Sequence, residues 1–329
     1  MRILICDDMF PSMIDTIRRL LPEDDVRVCR QTEVAREAPW AEVLIPAMAR
    51  ITADIIRSCP DLRLIQQFGV GLEGVDRGAA ANRGIAVANV PGVEAPVHAE
   101  CTAEGGIFLM MACARRYSLC RKMLTEGLWG RPQGETLIGR TALIIGLGAV
   151  GKALAVRLVP LRMKVIALDV DPQPGVDREL GLEILAHPSR LNELLPRADF
   201  VISTVTLTPQ TRGMLNVSVF ERMKPTAFVI NISRGPIVNE EDLIKALDNG
   251  LIAGAGLDVF EKDPIDPGNP LLKMGQVIVT PHSASYCEAS FKRLRISVGE
   301  EAVRVARGIW PKNVVNKGVV PKVALVKEG

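Results

Sequence analysis

Thr141-Ala142-Leu143-Ile144-Ile145-Gly146-Leu147-Gly148-Ala149-Val150-Gly151 decides the fold of this chain. Its first five residues form an apolar run of the length of a buried strand, and the glycines that follow fit G-x-G-x-x-G. A lone match to that pattern is weak. Here it ends a strand, opens a helix predicted over 152–158, and precedes a second strand, 164–168, that runs into Asp169, 18 residues beyond Gly151. Strand, glycine turn, helix and downstream acid together make the dinucleotide fingerprint. Gly146 permits the tight turn, Gly148 lets backbone approach a pyrophosphate, and Gly151 allows helix and strand to pack closely. With Ala149 and Val150 completing the turn on the cofactor side, the free amides and the dipole of the helix that follows attract phosphates. Asp169 can accept hydrogen bonds from both hydroxyls of an adenosine ribose. A ribose 2′-phosphate would instead face Asp169 and Asp171 with no arginine beside them, so NAD is expected rather than NADP.

Around this centre the chain alternates strands and helices. Strands are predicted at 200–203, 227–231, 253–258 and 277–280, which with the first two make a six-stranded, doubly wound unit. Asn239 caps a helix with acids in its first turn, and Gly250 follows its end. An earlier series, with strands at 2–7, 26–30, 42–46, 64–68 and 85–89, predicts a second parallel sheet with both faces covered. One long helical stretch, 99–126, separates the two series. The helical segment after Ser283 is expected to return to the first domain.

The 329 residues suit two domains, and 48% of them are hydrophobic. Lys and Arg total 40 against 38 acids, a balance that argues against nucleic acid as a partner. No apolar stretch reads as a membrane span, and the start, Met1 to Asp8, is too short an apolar run for a signal peptide. Seven cysteines without C-x-x-C spacing exclude the common zinc sites and a dense disulfide framework, and suit a reducing, cytoplasmic setting. With three histidines in the chain, no metal site is expected.

Three segments stand at the ends of predicted strands, where open α/β sheets bind ligands: Asn231-Ile232-Ser233-Arg234-Gly235-Pro236, Leu257-Asp258-Val259-Phe260-Glu261-Lys262-Asp263-Pro264, and Thr280-Pro281-His282-Ser283-Ala284-Ser285. A cation, carboxylates and an imidazole after successive strands make an acid/base set. With these, Phe68-Gly69-Val70-Gly71-Leu72-Glu73-Gly74-Val75-Asp76, Asn89-Val90-Pro91-Gly92, Thr208-Pro209-Gln210-Thr211 and Met223-Lys224-Pro225 resemble the D-2-hydroxyacid dehydrogenase family over nearly the whole chain.

That resemblance implies a flavodoxin-like substrate domain, 1–98 and 288–329, an inserted Rossmann NAD domain, 99–287, and an active site in the cleft between them. It implies His282 as general acid/base, Asp263 as its carboxylate partner, and Arg234 as the cation that binds the substrate carboxylate and polarises its carbonyl. Asp258 and Thr206 would line the cofactor, and Val70 and Gly71 would offer backbone amides to a small 2-oxo or 2-hydroxy acid. A homodimer built on the cofactor domain, with 99–126 in its interface, is also implied. The sequence departs from the family pattern at several positions. Asp263 stands where Glu is usual, with Glu261 as a rival acid. Glu94, Val97, His98, Ala99 and Glu100 replace an Asn-Ser-Val-Ala-Glu type stretch, and Thr206 replaces a proline. Pro46-Ala47 occupies the place of an Arg-Ser pair usual in the phosphoglycerate branch. His98 and His187 read as structural or surface residues. The substrates expected are of the glyoxylate or hydroxypyruvate type, and the rival function is an NAD(H)-sensing, corepressor-like protein without turnover.

Overall fold

In the computed structural model, which describes residues 1–9, 11–92, 96–322 and 325–326, the chain divides into two units. One comprises Met1–Pro96 and Glu288–Gly329, the other Val97–Cys287. The fold expected from the sequence, two doubly wound α/β domains, is the one found.

The first unit carries a five-stranded parallel sheet of β1 (Arg2–Ile5), β2 (Asp25–Val28), β3 (Val43–Ile45), β4 (Leu64–Gln66) and β5 (Ala86–Ala88), in the order β2-β1-β3-β4-β5. This is the flavodoxin-like order, with its switch point between β1 and β3. Apolar layers cover both faces, as an all-parallel sheet requires. One contains Ile3, Ile5, Ile45 and Leu64 with Leu294 and Val298, and the other contains Leu4, Leu44, Ile65 and Val87 with Ile56. The helix Glu288–Ala306 packs on Pro11–Leu20, so the C-terminal segment belongs to this core.

The second unit carries β6 (Thr141–Ile145), β7 (Lys164–Leu168), β8 (Ile184–Ala186), β9 (Phe200–Ser203), β10 (Phe228–Asn231), β11 (Gly254–Leu257) and β12 (Val277–Val279). All seven are parallel, in the order β12-β11-β10-β9-β6-β7-β8. The order reverses between β6 and β9, which places the glycine turn after β6 at the switch point. The sequence reading missed β8, an edge strand only half-buried over most of its length and hence without a clear apolar signature. The stretch expected as one long helix is two, Pro96–Ala114 and Tyr117–Thr125, broken where Arg116 takes a left-handed φ of 51°. Among the described residues no helix is long and apolar enough to cross a membrane.

The cysteines also depart from expectation. Cys101, in the first turns of the Pro96–Ala114 helix, is bonded to Cys287, although 186 residues separate them. Spacing rules could not have paired them, because their proximity depends on how that helix lies against the segment after β12.

Candidate active site

The glycine turn is shaped as its residues dictate. Gly146 has φ 97°, a conformation that L side chains rarely adopt. A Cβ on Gly151 would stand 2.1 Å from the Gly146 carbonyl oxygen, so only glycine lets the Ala149–Leu158 helix start this close to the turn. Gly148 faces open space, the access a phosphate would need. Thr204, after β9, locks the turn by donating its hydroxyl to the carbonyls of Ile145 and Gly146 at 3.0 and 2.5 Å. At the end of β7, Asp169 accepts from the Leu147 amide at 2.7 Å and the Asp171 amide at 3.0 Å. These bonds fix the carboxylate beside the turn, and each oxygen keeps a lone pair for a ribose hydroxyl. No lysine or arginine stands between Asp169 and Gly175. The turn therefore fits a dinucleotide with an unphosphorylated adenosine ribose.

Three turns follow β10, β11 and β12 at their C-terminal ends. In the first, buried Asn231 gathers the backbone. Its amide nitrogen donates to the Arg234 carbonyl at 2.9 Å, and its oxygen accepts from Ser233 through the hydroxyl at 2.8 Å and the amide at 3.2 Å. The Ser233 hydroxyl meets that of Ser203 at 2.7 Å. Arg234 is thereby held half-buried at the head of a 3-10 turn, with one Nη donating to the Ser233 carbonyl at 2.8 Å. Gly235 brings this turn against the next: a Cβ there would lie 1.6 Å from the Phe260 carbonyl oxygen.

The second turn presents Asp263. One carboxylate oxygen accepts from the Phe260 amide at 3.2 Å, and the other lies 3.3 Å from Nδ1 of His282. Glu261 is exposed, and its backbone amide donates to Glu240 at 3.1 Å. Asp263 is thus the carboxylate that meets the imidazole, although its side chain is one methylene shorter than glutamate.

The third turn carries His282 in a left-handed conformation, φ 52°. The backbone of Asp258 accepts the His282 amide at 2.8 Å. The Asp258 carboxylate, 3% exposed, accepts from the Thr280 hydroxyl at 2.6 Å, the Ser283 amide at 2.8 Å and the Ala284 amide at 3.0 Å. Asp258 therefore builds the turn that aims His282.

The Pro96–Ala114 helix packs on two of these turns through small residues. A Cβ on Gly105 would lie 2.7 Å from Ala284, and one on Gly106 would lie 2.8 Å from Ile232. On the Gly105 side, two turns earlier, stands His98. Burial, then the charges of Arg234 and of His282, hold its pKa below the ordinary imidazole value. The sequence reading took His98 for a structural or surface residue; the charged groups that act on it come from distant turns. Glu94 lies outside the described residues. Thr206 is exposed, and its carbonyl accepts the Thr211 hydroxyl at 2.7 Å. In the other unit, Val70 is exposed and Gly71 half-buried; the Val70 carbonyl accepts from Asn89 at 2.8 Å.

Residues 107–284 match the NAD binding domain of the D-isomer specific 2-hydroxyacid dehydrogenases. A glyoxylate reductase from Korarchaeum cryptofilum is 39% identical over 276 residues, 82% of this chain and 81% of that protein. A D-3-phosphoglycerate dehydrogenase from Archaeoglobus fulgidus is 35% identical over 320 residues, 96% of this chain, which spans only 59% of that relative's length. Among solved structures, an NADPH-dependent glyoxylate/hydroxypyruvate reductase from Sinorhizobium meliloti, in complex with NADP and malonate, superposes with a TM-score of 0.83 at 28% identity. The match covers 98% of this chain and 99% of that one.

Proposed function

The chain belongs to the D-isomer specific 2-hydroxyacid dehydrogenases, and from that premise we propose that it interconverts a small 2-oxo acid and its D-2-hydroxy acid with NAD, on substrates of the glyoxylate or hydroxypyruvate type. The observation that carries this reading is the pairing of His282 Nδ1 with Asp263 at 3.3 Å, in the same unit as Arg234 and the glycine turn. With Nδ1 engaged by a carboxylate, Nε2 is the nitrogen that faces the substrate. The imidazolium donates a proton to the carbonyl oxygen during reduction, the neutral ring takes one back during oxidation, and Asp263 orients the ring through Nδ1. Arg234 holds the substrate carboxylate through a bidentate fork and polarises the carbonyl. When bound, the nicotinamide supplies the hydride.

Gly146, Gly148, Ala149, Val150 and Gly151 would hold the pyrophosphate, and Asp169 the ribose. Asp258 and Thr206 would line the nicotinamide side, with Asp258 offering lone pairs its turn leaves over. A homodimer on the cofactor domain is part of the reading. Phe108, Met111, Leu124 and Trp129 expose apolar surface on the two helices of 96–125 and just beyond them, Trp129 by 87%. Five free thiols beside a single disulfide are in keeping with a cytoplasmic location.

The test is NADH oxidation by the purified chain against glyoxylate, hydroxypyruvate, pyruvate and 3-phosphohydroxypyruvate. Turnover of the first two is expected. Flat traces with all four, while NADH still binds, would replace the reading with that of an NAD(H) sensor.

A further inference from the structure

We propose that Cys101 and Cys287 form a reversible dithiol/disulfide couple that restrains the turn carrying His282. Cys287 is the last residue of the second unit, five positions after His282, and Cys101 lies on the first helix of that unit. Their Cα atoms are 6.8 Å apart, within the span a disulfide bridges. The helix that bears Cys101 already touches the same segment one turn later, where Gly105 meets Ala284. The bond thus adds a covalent tie to a contact made by packing alone. Cys287 is half-exposed, so a small thiol or disulfide can reach its sulfur, whereas Cys101 is buried and is reached only through Cys287. The other described cysteines are free, and four of those five are buried.

Oxidation needs a low-molecular-weight disulfide, and reduction needs a thiol. The Cys287 thiolate attacks one sulfur of the small disulfide, forming a mixed disulfide and releasing one thiolate. The Cys101 thiolate then displaces the second, so that one protein disulfide forms, one small disulfide is consumed, and the two protons end on the two released thiols. Reduction runs these steps backwards. Bridged, the segment from His282 to Cys287 is tied covalently to Cys101 as well as held by Asp258 and by the packing of Gly105 on Ala284; reduced, it loses the covalent tie and keeps the other two.

The full-length protein is equilibrated in oxidised or reduced glutathione, its thiols are counted after denaturation, and amide hydrogen exchange is followed in the peptide spanning Ser283 to Cys287. Five thiols, a Cys101–Cys287 peptide cross-link, and exchange at least ~10-fold slower than in the reduced form are expected. The double variant Cys101→Ser/Cys287→Ser should exchange at the reduced rate in both buffers. Seven thiols in both buffers, a cross-link between other cysteines, or exchange that ignores the buffer would overturn the proposal. None of these readouts uses turnover, so the outcome stands apart from that of the substrate panel.

Discussion

His282 occupies a backbone conformation that costs an L-residue about 1–2 kcal/mol, and it is kept there by the bonds converging on Asp258. That cost marks the turn as built for placing an imidazole, whose Nδ1 then meets Asp263. His282→Ala should lower kcat at least ~100-fold with little change in NADH affinity, read by steady-state kinetics and NADH fluorescence titration. Reduction consumes the protonated ring and oxidation the neutral one, so the reductive rate should fall with rising pH while the oxidative rate rises. Asp263→Asn removes the carboxylate that orients Nδ1 and should lower kcat, by less than His282→Ala does. An unchanged kcat in Asp263→Asn would mean that another group orients the ring. At the other end of the cofactor turn, Asp169 should make NADH bind at least ~10-fold more tightly than NADPH, a gap of about 1.4 kcal/mol. Asp169→Ala should narrow that gap, and equal affinities in the unaltered protein would remove the NAD assignment.

Among the elements, the pairing of β6 with β9 is pinned at its N-terminal end by Asp199. Its carboxylate accepts from the Thr141 amide at 2.8 Å, Lys224 Nζ at 2.9 Å and Arg140 at 3.4 Å. Burial pushes this carboxyl up, but the Thr141 amide, Lys224 and Arg140 outweigh it and hold its pKa below the ordinary aspartate value. A depressed native pKa stabilises the fold above the unfolded value of about 3.9, and that contribution is lost as pH falls through the native value. Asp199→Asn should therefore be less stable than the unaltered protein at neutral pH, with the difference shrinking towards zero in strong acid. A difference independent of pH, in denaturant melts across that range, would show that the charge is not what stabilises this junction. Elements with a plain apolar signature were legible beforehand: β6, β7, β9 and β10 were placed to within a residue. The edge strand β8 and the break at Arg116 were not, because one is half-exposed and the other has no proline or glycine to announce it.

For the whole molecule, the exposed apolar side chains along 108–129 predict association. Sedimentation at micromolar concentration should show a dimer, and Phe108→Arg should shift it towards monomer; a monomeric unaltered protein would contradict the homodimer. What the sequence determined by itself was whatever depends on local order along the chain. The glycine turn with its acid 18 residues on, the strands with their caps, and the motifs at strand ends suffice for two doubly wound sheets and for naming Arg234, Asp263 and His282. Only the tertiary structure decided how distant segments meet. It put Asp263 rather than Glu261 against the imidazole, gave Asp258 the task of building the His282 turn, brought His98 near Arg234, and joined Cys101 to Cys287. The physical reason is common to all four. Each depends on where the loops after β10, β11 and β12 and the helix Pro96–Ala114 come to rest on one sheet, and packing sets those positions, not the residues next to them in the chain.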